Sequence, residues 1–345
     1  MNVLSPISGL AVRRAGRDED ARICAFLARH PDATPFHRPA WSRAVEQGCG
    51  QQSHMLVAET CGAVTGVLPL THVRSLLFGT ALVSAGFGVG GGILAADPVS
   101  AERLAAAALA LADELGCHSV ELRGGEIPQG WHVAEGTYAN FARPLPQGDE
   151  AILKSIPRKQ RAEVRRAIGF GLDVEIGRDA DAHYGVYAES VRNLGTPVFP
   201  SALFTAMLDA FGDDAEILTV RHDGRPVASV LSLYDKGIVY PYWGGGTAEA
   251  RGLRASELMY YELMRHAAAR GCTRFDFGRS KTGTGAFSFK KNWGFEPDPL
   301  RYAVHGAARD TNPASAKYRL QVALWKKLPL AIANRVGPLL ARGLG

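Results

Sequence analysis

One order of elements is written twice in this 345-residue chain, and that repetition limits the possible fold more than any other feature. In the first half, residues 55–59 predict a strand, 60–63 a turn and 64–72 a returning strand. Uncharged strands follow within 80–95. Residues 102–115, rich in Ala and Leu and stopped by Gly116, predict a helix, and 119–123 a short strand. In the second half, 215–221 and 226–234 predict strands joined by the Asp-Gly turn of His222-Asp-Gly-Arg225. A strand over 238–243, a helix over 256–270 stopped by Gly271, and a strand over 274–277 complete the second copy. Each copy takes about 150 residues, one domain's worth. The expected division is 1–150, 151–310 and a tail, 311–345. Identity between the halves is low, so the repeat is one of fold rather than of a short array.

Composition supplies two cores and removes several classes of protein. With 46% hydrophobic and 21% charged residues, a disordered chain, a collagen-like repeat and a small disulfide scaffold are excluded. The net charge of +5 is uneven. No acidic residue follows Asp310, while Lys317, Arg319, Lys326, Lys327, Arg335 and Arg342 do, so the body without its tail is nearly neutral. That distribution argues against DNA as a partner. Five scattered cysteines without a C-x-x-C pair predict free thiols in a reducing compartment. The N-terminus lacks a signal-peptide pattern, so a cytoplasmic location is expected. Residues 75–96 carry no charge and are long enough to span a bilayer, but six glycines favour two buried strands around a turn.

Three motifs carry a resemblance. Pro157-Arg-Lys-Gln-Arg-Ala-Glu-Val-Arg-Arg-Ala-Ile168 is a basic helix opening the second half. Gly283-Thr-Gly-Ala-Phe-Ser-Phe-Lys-Lys-Asn-Trp-Gly-Phe295 closes it, just after Asp276-Phe-Gly278 at a strand end. Together with the element order they resemble the FemAB group, tandem GNAT-like aminoacyl transferases. Ser190-Val-Arg-Asn-Leu-Gly-Thr-Pro-Val-Phe-Pro200, Phe277-Gly-Arg-Ser-Lys281 and Lys290-Lys-Asn-Trp-Gly-Phe-Glu-Pro297 are similar to the FemAB-related proteins of exosortase/PEP-CTERM systems, which accompany exopolysaccharide production. The resemblance implies an α+β fold of two GNAT-like domains, each a mainly antiparallel sheet flanked by helices. It also implies transfer of an aminoacyl or acyl group onto an amine of a cell-envelope, peptidoglycan-like or exopolysaccharide precursor, small or lipid-linked. No bound cofactor is implied. The donor would be aminoacyl-tRNA, with acyl-CoA second.

The residues themselves set out the chemistry. Arg158, Arg161 and Arg165 recur at helical spacing, within about 60° of one face, with Arg166 and Lys159 flanking them. Val164, Ala167 and Ile168 are expected to turn to the core. Like charges packed together suit a phosphate-bearing substrate, though a solvated helix face has the same pattern. Acyl transfer to an amine passes through a tetrahedral oxyanion, and a positioned ammonium beside an aromatic ring can stabilise it. The resemblance gives that role to Lys290, with Phe289 as the neighbouring ring. A surface lysine beside a core Phe is the plainer alternative. In Tyr240-Pro-Tyr-Trp-Gly-Gly-Gly-Thr247, Tyr242 and Trp243 could line a cleft and the glycines admit substrate to the backbone, or the strand is simply core. Arg279 is a candidate anion contact at a strand end. No side chain stands out as the base.

Other constellations are missing from the sequence. No histidine or cysteine spacing suits a metal, and Cys272 reads as a small core residue. A GNAT-type pyrophosphate loop needs Gly or Ala two residues after its central Gly, but Gly252 is followed by Arg254, which counts against acyl-CoA. No heptad arm occurs. An acyl-CoA N-acyltransferase and a non-catalytic adaptor of an exopolysaccharide assembly are the alternatives. The tail interleaves Tyr318, Leu320, Val322, Leu324, Trp325, Leu328, Leu330 and Ile332 with cations. Residues 312–345 could lie on the inner face of the cytoplasmic membrane, or pack as a closing helix with the cations in water.

Overall fold

The computed structural model describes residues 9–75, 79–307 and 319–344. Lys317, Tyr318 and residues 76–78 of the uncharged stretch lie outside them. Two compact units form. The first holds the described part of residues 1–135 with 301–307 and 340–344; the second holds 136–300 and 319–339.

The first unit runs β1 (Leu10–Arg14), α1 (Asp20–Arg29), α2 (Pro39–Cys49), β2 (Gln52–Thr60), β3 (Ala63–Ser75), β4 (Gly79–Ser84), β5 (Leu94–Ala95), α3 (Pro98–Glu114), β6 (Ser119–Arg123) and β7 (His132–Ala134). The β2–β3 hairpin turns at Cys61 and Gly62, both with positive φ, the geometry whose twist matches antiparallel strands. The sheet order is β1-β2-β3-β4-β6, continued by a strand from beyond the second unit and then β7. β4 and β6 are parallel, joined by α3, whose Leu104, Ala108 and Leu111 face Leu56, Leu68, Leu82 and Val120.

The uncharged stretch resolves as expected in its first strand only. After β4 the chain enters a tight turn through Ala85 and Phe87, both at positive φ, and β5 is two residues long. The glycines are needed there. A Cβ on Gly92 would collide with the Gly124 carbonyl, and Phe36 packs within 3.2 Å of the Cβ positions of Gly88, Gly90 and Gly91.

The second unit begins with β8 (Tyr138–Asn140), β9 (Ala142–Pro144), α4 (Asp149–Ser155), α5 (Arg158–Ile168), β10 (Asp173–Gly177), α6 (Ala180–Leu194) and α7 (Ser201–Phe211). It continues with β11 (Ala215–His222), β12 (Arg225–Asp235), β13 (Ile238–Gly246), α8 (Ala250–Leu253), α9 (Ala255–Ala269) and β14 (Arg274–Asp276). β15 (Ser280–Lys281), α10 (Gly285–Asn292) and β16 (Asp298–Pro299) close it. β17 (Tyr302–Gly306) then returns to the first sheet between β6 and β7. α11 (Arg319–Trp325) and α12 (Leu330–Ala341) end the chain.

The second sheet is β10-β11-β12-β13-β14-β9, antiparallel except for the pair β13/β14, with α9 as the crossover. β8 forms a small separate sheet with β15 and β16. The second core joins Val164 and Ala167 of α5 to Leu258, Met259 and Leu263 of α9 and to Phe275, Phe277, Trp293 and Phe295. Both units are thus mainly antiparallel sheets flanked by helices, as the element order predicts. Among the described residues no helix is long and apolar enough to cross a membrane.

Candidate functional site

A sheet opens where two parallel neighbours part. β13 is nine residues long, yet it pairs with β14 only at Ile238↔Arg274 and Val239↔Phe275. Beyond those pairs the carboxyl ends diverge, and such a switch from paired to unpaired backbone is where open sheets receive ligands. β4 and β6 also share only two pairs, but there Phe36 packs into the glycine turn and the buried Trp41 donates its Nε1–H to the Gly86 carbonyl, 3.1 Å away. Arg123 at the end of β6 is also committed there, donating to the Glu121 carboxylate and the Gly88 carbonyl, and the end of β14 in the second unit carries polar groups of its own.

Lys290 is the centre of them. α10 starts at Thr284, whose hydroxyl caps the Phe287 N–H, and it sends Phe287 and Phe289 toward the core. Phe289 joins a ring cluster, 5.7 Å from Tyr260, 6.3 Å from Phe277 and 6.1 Å from Trp293. The next residue, Lys290, turns its Nζ under the turn that follows β14. It donates to three carbonyls: Phe277 at 2.7 Å, Gly278 at 2.9 Å and Arg279 at 3.0 Å. The rings of Phe141 and Phe277 flank it at 5.5 and 5.8 Å. Burial drives its pKa down to about 7, opposed by the Asp276 carboxylate and aided by Arg279. An ammonium has three protons, so this one commits all of them to the turn.

Asp276 holds the same turn from its other end. One carboxylate oxygen accepts the Gly278 N–H at 2.8 Å and the other accepts from the Asn140 amide at 3.2 Å. Burial raises its pKa, while those two hydrogen bonds and Lys290 pull the other way. Gly278 sits at φ +69°, which a side chain would strain. The Arg279 guanidinium lies over the Tyr138 ring at 4.7 Å. Asp276 and Asn140 were not singled out by sequence as site residues. The signal available was only an acidic residue at a strand end before a Phe-Gly turn.

The aromatic strand is placed differently from the open-cleft expectation. Tyr242 falls at a bulge, between Trp243, which pairs with Leu231, and Pro241, which pairs with Ser232. Trp243 is buried against Phe204 and Phe199, and Tyr242 crosses it edge-on at 4.6 Å. The three glycines admit neighbouring helices, not open space. Cβ atoms there would meet Tyr260 Oη at 2.9 Å, Ser190 Cβ at 2.5 Å and Ala250 Cβ at 2.8 Å.

The structure brings the two motif segments together. Pro157, at the start of α5, lies 3.0 Å from where a Cβ on Gly294 would stand, just past α10. Val164 and Ala167 are buried on α9, but Ile168 is 48% exposed, because the helix ends there. Arg158 and Arg165 are exposed and Arg161 half-buried. Glu163 ties that face inward. Its carboxylate accepts from Arg254 Nε at 2.5 Å and pairs with Arg166 at 3.4 Å, linking the basic face to the start of α9. That start is no open glycine loop. The four-residue α8 fills it, Arg254 takes a left-handed φ of +53°, and the Ala248 N–H donates to the Glu189 carboxylate at 2.8 Å.

Cys272 is buried, and no group of three or more metal-ligating side chains occurs among the described residues.

Residues 154–291 match the family model described as Acetyltransferase (GNAT) domain. No curated protein matches the chain by sequence. Among solved structures the chain is similar to FemX, at TM-score 0.62 and 16% identity over 84% of this chain and 96% of that one. A tandem GNAT protein from the clavulanic acid biosynthesis pathway gives TM-score 0.58 and 12% identity over 87% and 99%. The C-terminal domain of a candidate lysylphosphatidylglycerol synthetase from Agrobacterium fabrum gives 0.55 and 13% over 84% and 92%. The fold is that of two tandem GNAT-like domains.

Proposed function

We propose that this protein is an acyltransferase of FemAB type that moves an aminoacyl group from a carrier ester to an amine of a cell-envelope precursor. The observation that carries it is the half-buried Lys290 ammonium fixed under the turn that follows β14. In the reaction the amine nitrogen attacks the ester carbonyl carbon and an oxyanion forms. The ester C–O bond then breaks, and the departing hydroxyl takes the proton the amine gives up. Lys290 stabilises the oxyanion by its charge in a partly desolvated site and by holding the 277–279 turn in place. Phe289 fixes the lysine's helix to the core. The stripe of Arg158, Arg161 and Arg165 binds substrate phosphate, Arg279 adds a cation beside the turn, and Tyr242 with Trp243 stiffens the strand that forms one wall.

The similarity to FemX and to a lysylphosphatidylglycerol synthetase domain supports aminoacyl donors and envelope acceptors. The acceptor proposed from the motif resemblance is a peptidoglycan-like or exopolysaccharide precursor of an exosortase/PEP-CTERM system. Aminoacyl-tRNA is the preferred donor, since a coenzyme A pyrophosphate needs free amides before α9, and a carboxylate and a helical turn occupy that segment. The description of the domain matched at 154–291 favours a second reading, an acyl-CoA donor. Incubation with labelled aminoacyl-tRNA in one arm and an acyl-CoA panel in the other separates them by which label reaches an amine. Turnover with neither donor would return the chain to a non-catalytic adaptor.

A further inference from the structure

We propose that the outward face of α11 and α12 is a docking surface for an anionic lipid bilayer. Its apolar residues fall in helical register. Leu320 and Leu324 are one turn apart on α11, and Ile332, Val336 and Leu339 stand at i, i+4 and i+7 on α12. All five are 37–70% exposed, and Leu194, next to α11 at the end of α6, is 69% exposed. This exposure is not that of loose helices, because their other sides are docked. Val322 and the Lys326 stem pack on Gly195, Arg192 donates to the Leu328 carbonyl at 3.1 Å, Ala333 is buried, and Gly337 lies against Val198. Of the ten exposed large hydrophobic side chains among the described residues, six lie on α6, α11 and α12 and the other four between the end of α5 and β10.

Charge selects the occupant. Lys326, Lys327 and Arg335 are exposed around the stripe, and the sequence has no acidic residue beyond Asp310. A face of leucines ringed by cations only, on a nearly neutral body, matches an anionic headgroup layer over hydrocarbon. The helices are seven and twelve residues long, and α12 contains Pro338, so they lie along the surface instead of spanning it. The inference stands on this surface alone and not on the transfer chemistry.

Co-sedimentation of the full chain with vesicles of phosphatidylglycerol mixed into phosphatidylcholine, against phosphatidylcholine alone, tests it. Binding to the mixed vesicles is expected, weakening with added salt. Lys326→Gln with Lys327→Gln should lower that affinity about 30-fold, since each surface cation contributes roughly fivefold. Leu320→Ser, Leu324→Ser and Leu339→Ser together should abolish it with an unchanged circular dichroism spectrum, because these side chains already face solvent. The proposal is overturned if the full chain ignores anionic vesicles, or if the serine variant binds them as well as the parent. It is equally overturned if the stripe instead supports a concentration-dependent dimer that the serine variant loses and vesicles do not compete with.

Discussion

Lys290 is held by geometry that its own neighbours in sequence do not reveal. A lysine after a phenylalanine predicts little, and its three carbonyl partners lie eleven to thirteen residues upstream, in a turn shaped by Asp276 and Gly278. The cation was therefore legible as a candidate, while its partners were not, since they depend on where β14 ends. Its lowered pKa gives a stability signature with a definite sign. Below pH 7 the lysine is charged in both folded and unfolded chains. Between about 7 and the ordinary lysine value the unfolded chain holds a proton that the folded chain has lost, so folding gains as pH rises through that window. Denaturant unfolding of the parent and Lys290→Met from pH 7 to 9.5 should show the difference moving in the parent's favour with pH. A flat difference would mean the folded chain keeps that proton, and would remove the lowered pKa.

Helices α5 and α10 act as a coupled pair, joined where Pro157 meets Gly294. Gly294 is at φ +79°, so Gly294→Ala adds both backbone strain and a contact with a rigid ring. It should lower stability by about 1–3 kcal/mol, measured by chemical denaturation. On α5 the exposed arginines are free to meet an anion, whereas Glu163 ties the inner part of that face to Arg254. Arg158→Gln, Arg161→Gln and Arg165→Gln combined should weaken binding of a phosphate-bearing substrate and flatten its dependence on salt, as fewer counterions are released. An unchanged salt slope would leave α5 as a solvated face. The amphipathic pattern of this helix was legible at Val164 and Ala167 and misleading at Ile168, where the helix stops and the period no longer applies. The glycines of β13 left two readings open for a related reason. A glycine run permits close approach, and only the packed structure says that helices, not substrate, make it.

The duplicated architecture was legible because hairpin turns and helix stops are local signals: Cys61-Gly62 and Asp223-Gly224 both sit at the positive φ their turns require. The strand exchange was not. β17, part of the first unit although it follows the second in sequence, lies between β6 and β7, a long-range pairing that no local pattern announces. Nor does sequence alone show how the cations at the two parting strand pairs differ: Arg123, at the end of β6, is paired with the Glu121 carboxylate and donates to the Gly88 carbonyl, whereas Lys290 donates to three backbone carbonyls. That asymmetry makes the second unit the seat of the proposed chemistry, and turnover by Lys290→Ala tests it most directly. Transfer of label from a mixed aminoacyl-tRNA pool to amine-bearing envelope precursors should fall about 10²–10³-fold in a variant that keeps its fold, the range for losing one oxyanion-stabilising group. Transfer at the parent's rate by the folded variant would contradict the account.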